Sequence, residues 1–244
     1  MLRHELKDGL LDAVYQAYDK VVGALAVACH RDCTVCCTHN VSAGTLEVDR
    51  LMRHIEKTGR DDLLERALTP SPIPRMQPAI TINSLADYCL RQVDPPQQEQ
   101  DYEIAPCPLR EKSGCPVYEG RPFACRSMWS QQRCFAGGEA IMSPLMVSLN
   151  GVFEQIVEHL DQGGLCGNMI DVMRLLHDGG LRADYRKTGR LEPSGPMLMA
   201  RPNPGFLVPP THRPQVMRAL NLLWEQEIEG VPFREAMAVI GSPQ

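Results

Sequence analysis

Ten of the 244 residues are cysteine, and eight of the ten fall into two groups. Cys29, Cys33, Cys36 and Cys37 crowd into one short run, and Cys107, Cys115, Cys125 and Cys134 form a second, looser one; Cys89 and Cys166 stand alone. Thiolates two and three residues apart suit zinc or iron–sulfur chemistry, because a turn of roughly two to four residues lets two sulfurs face one tetrahedral centre. Both kinds of centre use four cysteines, so spacing leaves zinc and iron–sulfur open, beside redox thiols or disulfides without metal. Adjacent Cys36 and Cys37 are expected to point apart, one serving a primary site and the other a second site or the fold. Eight thiols are enough for two metal sites. The segment 107–116 (CPLREKSGCP) reads as a tight cysteine-bearing turn, a type that aims backbone N–H groups at sulfur and stabilises thiolate charge.

Other residues can join this chemistry. Arg121 and Arg126 flank Cys125, where a guanidinium either reaches cluster sulfur or an anionic substrate, or clamps loop carbonyls in an ion pair. Tyr118 is either a buried hydrogen-bond donor toward a cofactor or a packed ring with its hydroxyl satisfied. Arg121, Arg126 and Tyr118 are therefore the cofactor-binding candidates. His30 or His39 can replace Cys29 as a ligand, since imidazole also binds zinc and iron; otherwise both sit in solvated loop. Trp129 is expected to shield the centre, and Met128, Met142 and Met146 to fill the core. Gly137-Gly138 and Gly163-Gly164 read as turns. No phosphate loop, dinucleotide fingerprint, zinc-protease helix or nucleophile elbow occurs.

The elements that must position these groups are mostly helical. Leu6, Leu10, Ala13, Val14, Ala17, Val21, Leu25 and Ala28 recur at spacings of three and four, which predicts a helix over 4–28 running straight into the first cysteines. A second helix is expected over 45–58, with Thr45 as N-cap and Glu47 and Asp49 in the first turn, and a third over 61–68. The proline-rich run 69–78 is a loop, with Pro78 opening a helix through residue 92, followed by a polar break over 94–100. The second cysteine segment, 101–137, reads as loop with a short helix near 121–130. Helices follow over 143–160, capped by Ser143 with Pro144 at its first position, and over 168–177, ending at Gly179-Gly180. The stretch 189–214 is too rich in proline for a regular helix, and helices over 214–229 and 232–240 close the chain. The expected fold is mainly α: an irregular helical domain with Cys-rich metal-binding loops. Residues 1–190 carry the cysteine-cluster domain, and 191–244 supply an extended segment and terminal helix packing on it.

Composition narrows the function. With 25 Lys+Arg against 30 Asp+Glu the net charge is −5, and aromatics are only 5%. Neither a nucleic-acid partner nor a membrane surface is expected from that balance. The N-terminus is charged throughout and lacks the apolar core of a secretory signal. The longest apolar run, 21–29, is far short of the ~18 residues of a membrane span. The chain is accordingly read as cytoplasmic, where clustered thiols are metal ligands or redox groups more often than disulfides.

The ordered set Cys33-x-x-Cys36-Cys37, then Cys107-Pro-Leu, then CPVYEGRPFACR over 115–126, resembles the CxxCxxCC cysteine-cluster family, the YkgJ-like group described as zinc- or iron-chelating. The likeness covers roughly residues 29–134. It departs at the start, where three residues rather than two separate Cys29 from Cys33, which weakens the ligand role of Cys29. The pattern is also similar to the cysteine cluster of flagellin lysine N-methylases, which implies an iron–sulfur cluster; no methyl-donor site is recognisable. The resemblance implies a Cys-ligated centre, a [4Fe–4S] cluster before zinc, on Cys33, Cys36, Cys107, Cys115 and Cys125, then Cys37, Cys134 and Cys29. An incomplete cysteine shell leaves an iron open to substrate or a methyl donor, with redox or methyl-transfer chemistry. The alternative is a structural-zinc binding or adaptor module without catalysis, its partner surface on the proline-rich segment and terminal helix. The partner, protein or small molecule, is unknown from sequence.

Overall fold

The structure, a computed structural model, describes residues 3–97, 101–135 and 139–241. In chain order the elements are α1 (Arg3–Gly23), β1 (Ser42–Gly44), α2 (Thr45–Lys57), α3 (Asp61–Leu68), α4 (Ile82–Leu90), α5 (Phe123–Ser127), α6 (Pro144–Leu160), β2 (Leu165–Asn168), α7 (Met169–Leu176), α8 (Gly179–Thr188), β3 (Leu198–Met199), α9 (Arg213–Trp224), β4 (Glu227–Ile228), β5 (Val231–Pro232) and α10 (Phe233–Gly241). The fold is mainly α, about half helical with short strands. Among the described residues no helix is long and apolar enough to cross a membrane. The end of the polar break, 98–100, and the Gly137-Gly138 turn lie outside the described residues.

Two apolar clusters organise the chain. In the first, α1 packs on α6, α9 and α10, burying Leu10, Leu11, Val14 and Ala17 completely. Each such leucine contributes about 2 kcal/mol relative to exposure. Tyr18, Phe123 and Phe153 meet edge-on at its centre, at 4.8 and 5.3 Å between ring centroids. The second gathers α2, α3 and α7 around Leu51, Ile55, Leu63, Val172 and Leu176. A small antiparallel sheet in the order β1-β2-β3 ties the parts together, with Gly44 opposite Cys166 and Leu165 opposite Met199.

Several boundaries differ from the periodicity, each for a local reason. α1 stops at Gly23, five residues short of the expected end, because the Leu25 N–H turns back to Val22 O (2.9 Å) and the Ala28 N–H goes to Ser130 O (2.8 Å). α2 begins at Thr45 rather than being capped by it; the Thr45 hydroxyl donates instead to Asp161, far along the chain (2.8 Å). The fourth helix is opened by Thr81, which accepts from the Ser84 N–H, and not by Pro78. Ser143 caps α6 as expected, with Pro144 in its first turn. The expected helix over 168–177 does end before the double glycine, as α7, but Gly179-Gly180 then starts a further helix: the Asp178 carboxylate accepts from the Gly180 and Leu181 N–H groups (2.9 and 3.0 Å) and caps α8. α9 ends at Trp224, and the remainder of the expected helix is the β4–β5 hairpin, turned on Glu229 and Gly230 at φ +52° and +81°. Such a two-residue turn needs left-handed backbone, which ends helical periodicity.

Candidate metal centre

Seven of the ten cysteines wall one cavity of about 330 Å³: Cys29, Cys33, Cys36 and Cys37 from the first segment, Cys107, Cys115 and Cys125 from the second. Its floor takes Leu51 and Met169 from the second apolar cluster and Glu154 from α6. All ten cysteines are free thiols. Among the described residues no group of three or more His, Cys, Asp or Glu side chains is placed to hold a metal ion.

Backbone hydrogen bonds hold the two segments in place. Tight turns run from His30 to Cys33 and from Thr34 to Cys37 (3.0 and 3.1 Å). At the start of the first segment, Ala28 is bonded to Ser130, and the Ser130 N–H donates to Cys29 Sγ (3.2 Å). At its end, the Cys107 N–H donates to Cys37 O (3.0 Å), beside a bridge between Thr38 and Pro106. Gly114 sits at φ +125°, with Asp32 Cα 3.1 Å from where a Cβ would be, so only glycine lets this turn lie against the first segment. The helix that carries Cys125 is placed by Glu47, whose buried carboxylate accepts the Phe123 N–H (2.6 Å) and the Tyr15 hydroxyl (2.6 Å).

The expected N–H···S turn is present. Burial pushes the Cys107 thiol up, and the backbone N–H groups of Leu109 and Arg110 oppose that by donating to its sulfur. Cys115 is likewise pushed up by burial and relieved by the Val117 N–H and by Arg121 and Arg31. Donors aimed at sulfur favour the thiolate, the form that binds metal. Cys125 is partly buried and held well above the usual thiol range by burial, with Cys107 and Cys115 adding to the shift.

Cys36 and Cys37 shift each other most: the Cys36 thiol is held below the usual thiol range by its neighbour, helped by Arg121, and the Cys37 thiol is held above it.

The remaining candidates divide. Arg121 and Tyr118 both line the cavity, stacked with the guanidinium 3.6 Å from the ring centroid. Arg121 Nε is buried without a hydrogen-bond partner. Arg126 is placed elsewhere: it bonds Asp19 (2.9 Å) and the carbonyls of Glu119 and Arg121 (2.7 and 3.1 Å), clamping the loop. Cys134 lies near Cys29, whose thiol it helps to raise after burial. His30 lines the cavity. His39 is buried rather than solvated, its Nε2 2.9 Å from Glu103 O. Trp129, expected to shield the centre, is instead in the core with its indole N–H on the Tyr18 hydroxyl (3.0 Å); half-exposed Met128 is at the cavity wall, not in the core. Cys89 is exposed at the end of α4.

A neighbouring pocket of about 190 Å³ shares Ser42, Ala124 and Glu154 with the cavity, and holds Glu47, Glu158, Asp161 and Cys166. Sequence patterning missed this pocket. Glu47 reads there only as a first-turn acid of α2, yet it is buried. Glu158 accepts the N–H groups of Asn83 and Arg201 (both 2.7 Å), and Asp161 takes Thr45, Leu46 and Tyr185 (2.8, 3.1 and 2.5 Å). Spacing of i, i+4 between Glu154 and Glu158 is the one sequence signal that places two of the acids on one face.

No family model, curated protein or solved structure matches this chain.

Proposed function

We propose that the protein holds a Cys-ligated metal centre in the cavity, an iron–sulfur cluster before zinc. The observation that carries this reading is the meeting of seven cysteines from two distant segments on one cavity wall. Two further features support it. The Cys107 and Cys115 sulfurs receive backbone N–H groups. Arg121 brings a positive charge and a buried, unpaired Nε to the thiols. Thiols, N–H donors and a guanidinium on one wall are the residue types that the group implied by the family resemblance would use. A cluster bound there supplies one-electron chemistry. The cavity cysteines would hold it through thiolates, and Arg121 would offset its charge.

Metal and acid-labile sulfide analysis with a visible spectrum, on protein purified without oxygen, tests the reading. Iron and sulfide in equal amounts, with a broad absorption that bleaches on reduction, is the expected result. Zinc without sulfide replaces the cluster by a stapled binding module, and absence of any metal after anaerobic loading overturns the metal centre altogether.

A further inference from the structure

We infer that the cavity takes a small organic oxyanion, a carboxylate or a phosphate ester, on Arg110 and Arg121. The inference goes beyond the metal-centre reading and stands on the arginines of the wall, not on its thiols.

Charge pairing carries the argument. Among the described residues ten arginines are buried or half-buried. Eight of them face a carboxylate. Arg50 pairs with Asp12 (2.7 Å), Arg53 with Asp8 (2.5 Å), Arg60 with Asp62 (2.8 Å) and Arg126 with Asp19 (2.9 Å). Arg182 and Arg186 both reach Asp49 (2.7 and 2.8 Å), and Arg75 and Arg174 share Asp171. The other two, Arg110 and Arg121, make no ion pair among the described residues, and both line the thiol cavity. A guanidinium withdrawn from water without a counter-charge is costly. A chain that pairs eight such groups and leaves two on one cavity wall has placed them for an anion that enters the cavity.

The wall suits that ligand in three ways. Arg121 Nε is buried without a hydrogen-bond partner, and the guanidinium is stacked on the Tyr118 ring, 3.6 Å from its centroid. Stacking covers a face of the planar group and leaves its edge, where the N–H groups point, for two parallel bonds to an oxyanion. Glu154 is the one carboxylic acid among the lining residues, so the two guanidinium groups outnumber the acids. Leu51, Val117 and Met169 offer apolar surface to the organic part of the ligand. At about 330 Å³ the cavity matches the lower end of small-molecule pockets, which run from about 300 to 1,000 Å³.

Isothermal titration calorimetry tests the inference on the full chain, purified without oxygen and again after metal removal, with inorganic phosphate and benzoate as probes. Saturable binding of at least one probe at one site is expected in both forms. Phosphate alone assigns the site to phosphate esters, and benzoate alone to carboxylates. Arg110→Gln and Arg121→Gln should each weaken binding about tenfold or more, since each removes charge-assisted hydrogen bonds. Arg91→Gln, which removes an exposed cation paired with Asp87 on α4, should leave it unchanged. Where a glutamine variant loses its helical circular dichroism, lysine at the same position keeps the charge without the planar fork and should still weaken binding. No saturable binding of either probe overturns the inference, as does an equal loss in Arg91→Gln. Binding confined to the metal-free form means that the arginines answer the charge of the centre itself; it overturns the inference and leaves the metal centre standing. Arginine-dependent binding in a chain that takes up no metal keeps the inference and removes the metal centre.

Discussion

The thiol-lined cavity and the acid-lined pocket share a wall at Ser42, Ala124 and Glu154, yet they treat their polar groups in opposite ways. In the acid pocket nearly every carboxylate is satisfied by donors from distant parts of the chain. Glu47 joins α1 to the start of α5, Glu158 joins α4 to the strip after β3, and Asp161 joins α2 to α8. In the thiol cavity the sulfurs receive a few N–H groups, and Arg121 Nε has no partner. Buried polar groups are normally paired, and an exception calls for an explanation. The contrast teaches that an acid-rich pocket is no site merely because it is acidic. Here the acids are joints of the fold, and the unsatisfied side of the wall is where a ligand belongs.

Breaking a joint should therefore have the largest effect. Asp161→Ala leaves the Thr45 hydroxyl, the Leu46 N–H and the Tyr185 hydroxyl without their acceptor in a dry interior. A loss of about 3–5 kcal/mol is expected in chemical denaturation. Cys115→Ser, in the metal-free chain, should change stability by less than about 1 kcal/mol, because a serine hydroxyl can still accept the Val117 N–H that the sulfur receives. Equal effects of the two substitutions would remove the distinction between joint and site.

Glu154 sits on the shared wall and makes a sharper test. Burial raises its carboxyl to about 7, with Glu47 and Glu158 adding their repulsion. An unfolded glutamate titrates near 4.5. Between these values the folded chain keeps a proton that the unfolded chain has lost, so stability falls as pH rises through this window and levels off above it. The full change is on the order of 1–3 kcal/mol, at about 1.4 kcal/mol per pH unit of difference and allowing for partial exposure. Glu154→Gln should flatten that slope in metal-free protein and make the chain more stable than wild type at pH 8. An unchanged slope would mean that another group carries it.

How far the sequence spoke can be judged from these same residues. The α1, α2 and α6 faces were legible because their apolar residues repeat at helical spacing, and Ser143-Pro144 announces its helix start by a local rule. The cysteines were legible as a set, since residue type and spacing alone make them unusual. Their meeting on one cavity wall was not, because it depends on contacts such as Ala28 with Ser130 and Cys37 with Cys107, residues 70 or more positions apart. The acid pocket was hidden for a similar reason. Glu47 in a first turn satisfies the helix-dipole rule, and nothing local tells that Tyr15 and Phe123 will close over it. The helix after residue 178 was lost to a double glycine that reads as a stop unless the Asp178 cap is weighed against it.

The smallest expected effect compares one thiol from each side of the wall. Cys36 is exposed, and its sulfur is held below the usual thiol range by its neighbour Cys37, opposed by burial and helped by Arg121. Cys166 lies in the acid pocket, raised by burial and then by Glu158, Glu47, Glu154 and Asp161. The thiolate is the nucleophile, so in reduced, metal-free protein at pH 7 iodoacetamide should modify Cys36 about tenfold or more faster than Cys166. That difference is about 1.4 kcal/mol in activation free energy. Cys37→Ala removes that neighbour's thiol and should slow Cys36 while leaving Cys166 alone. Timed peptide mass spectrometry reads both rates in one sample. If Cys166 reacts as fast as Cys36, its carboxylate neighbours do not act on it, and the two sides of the wall differ in geometry but not in field.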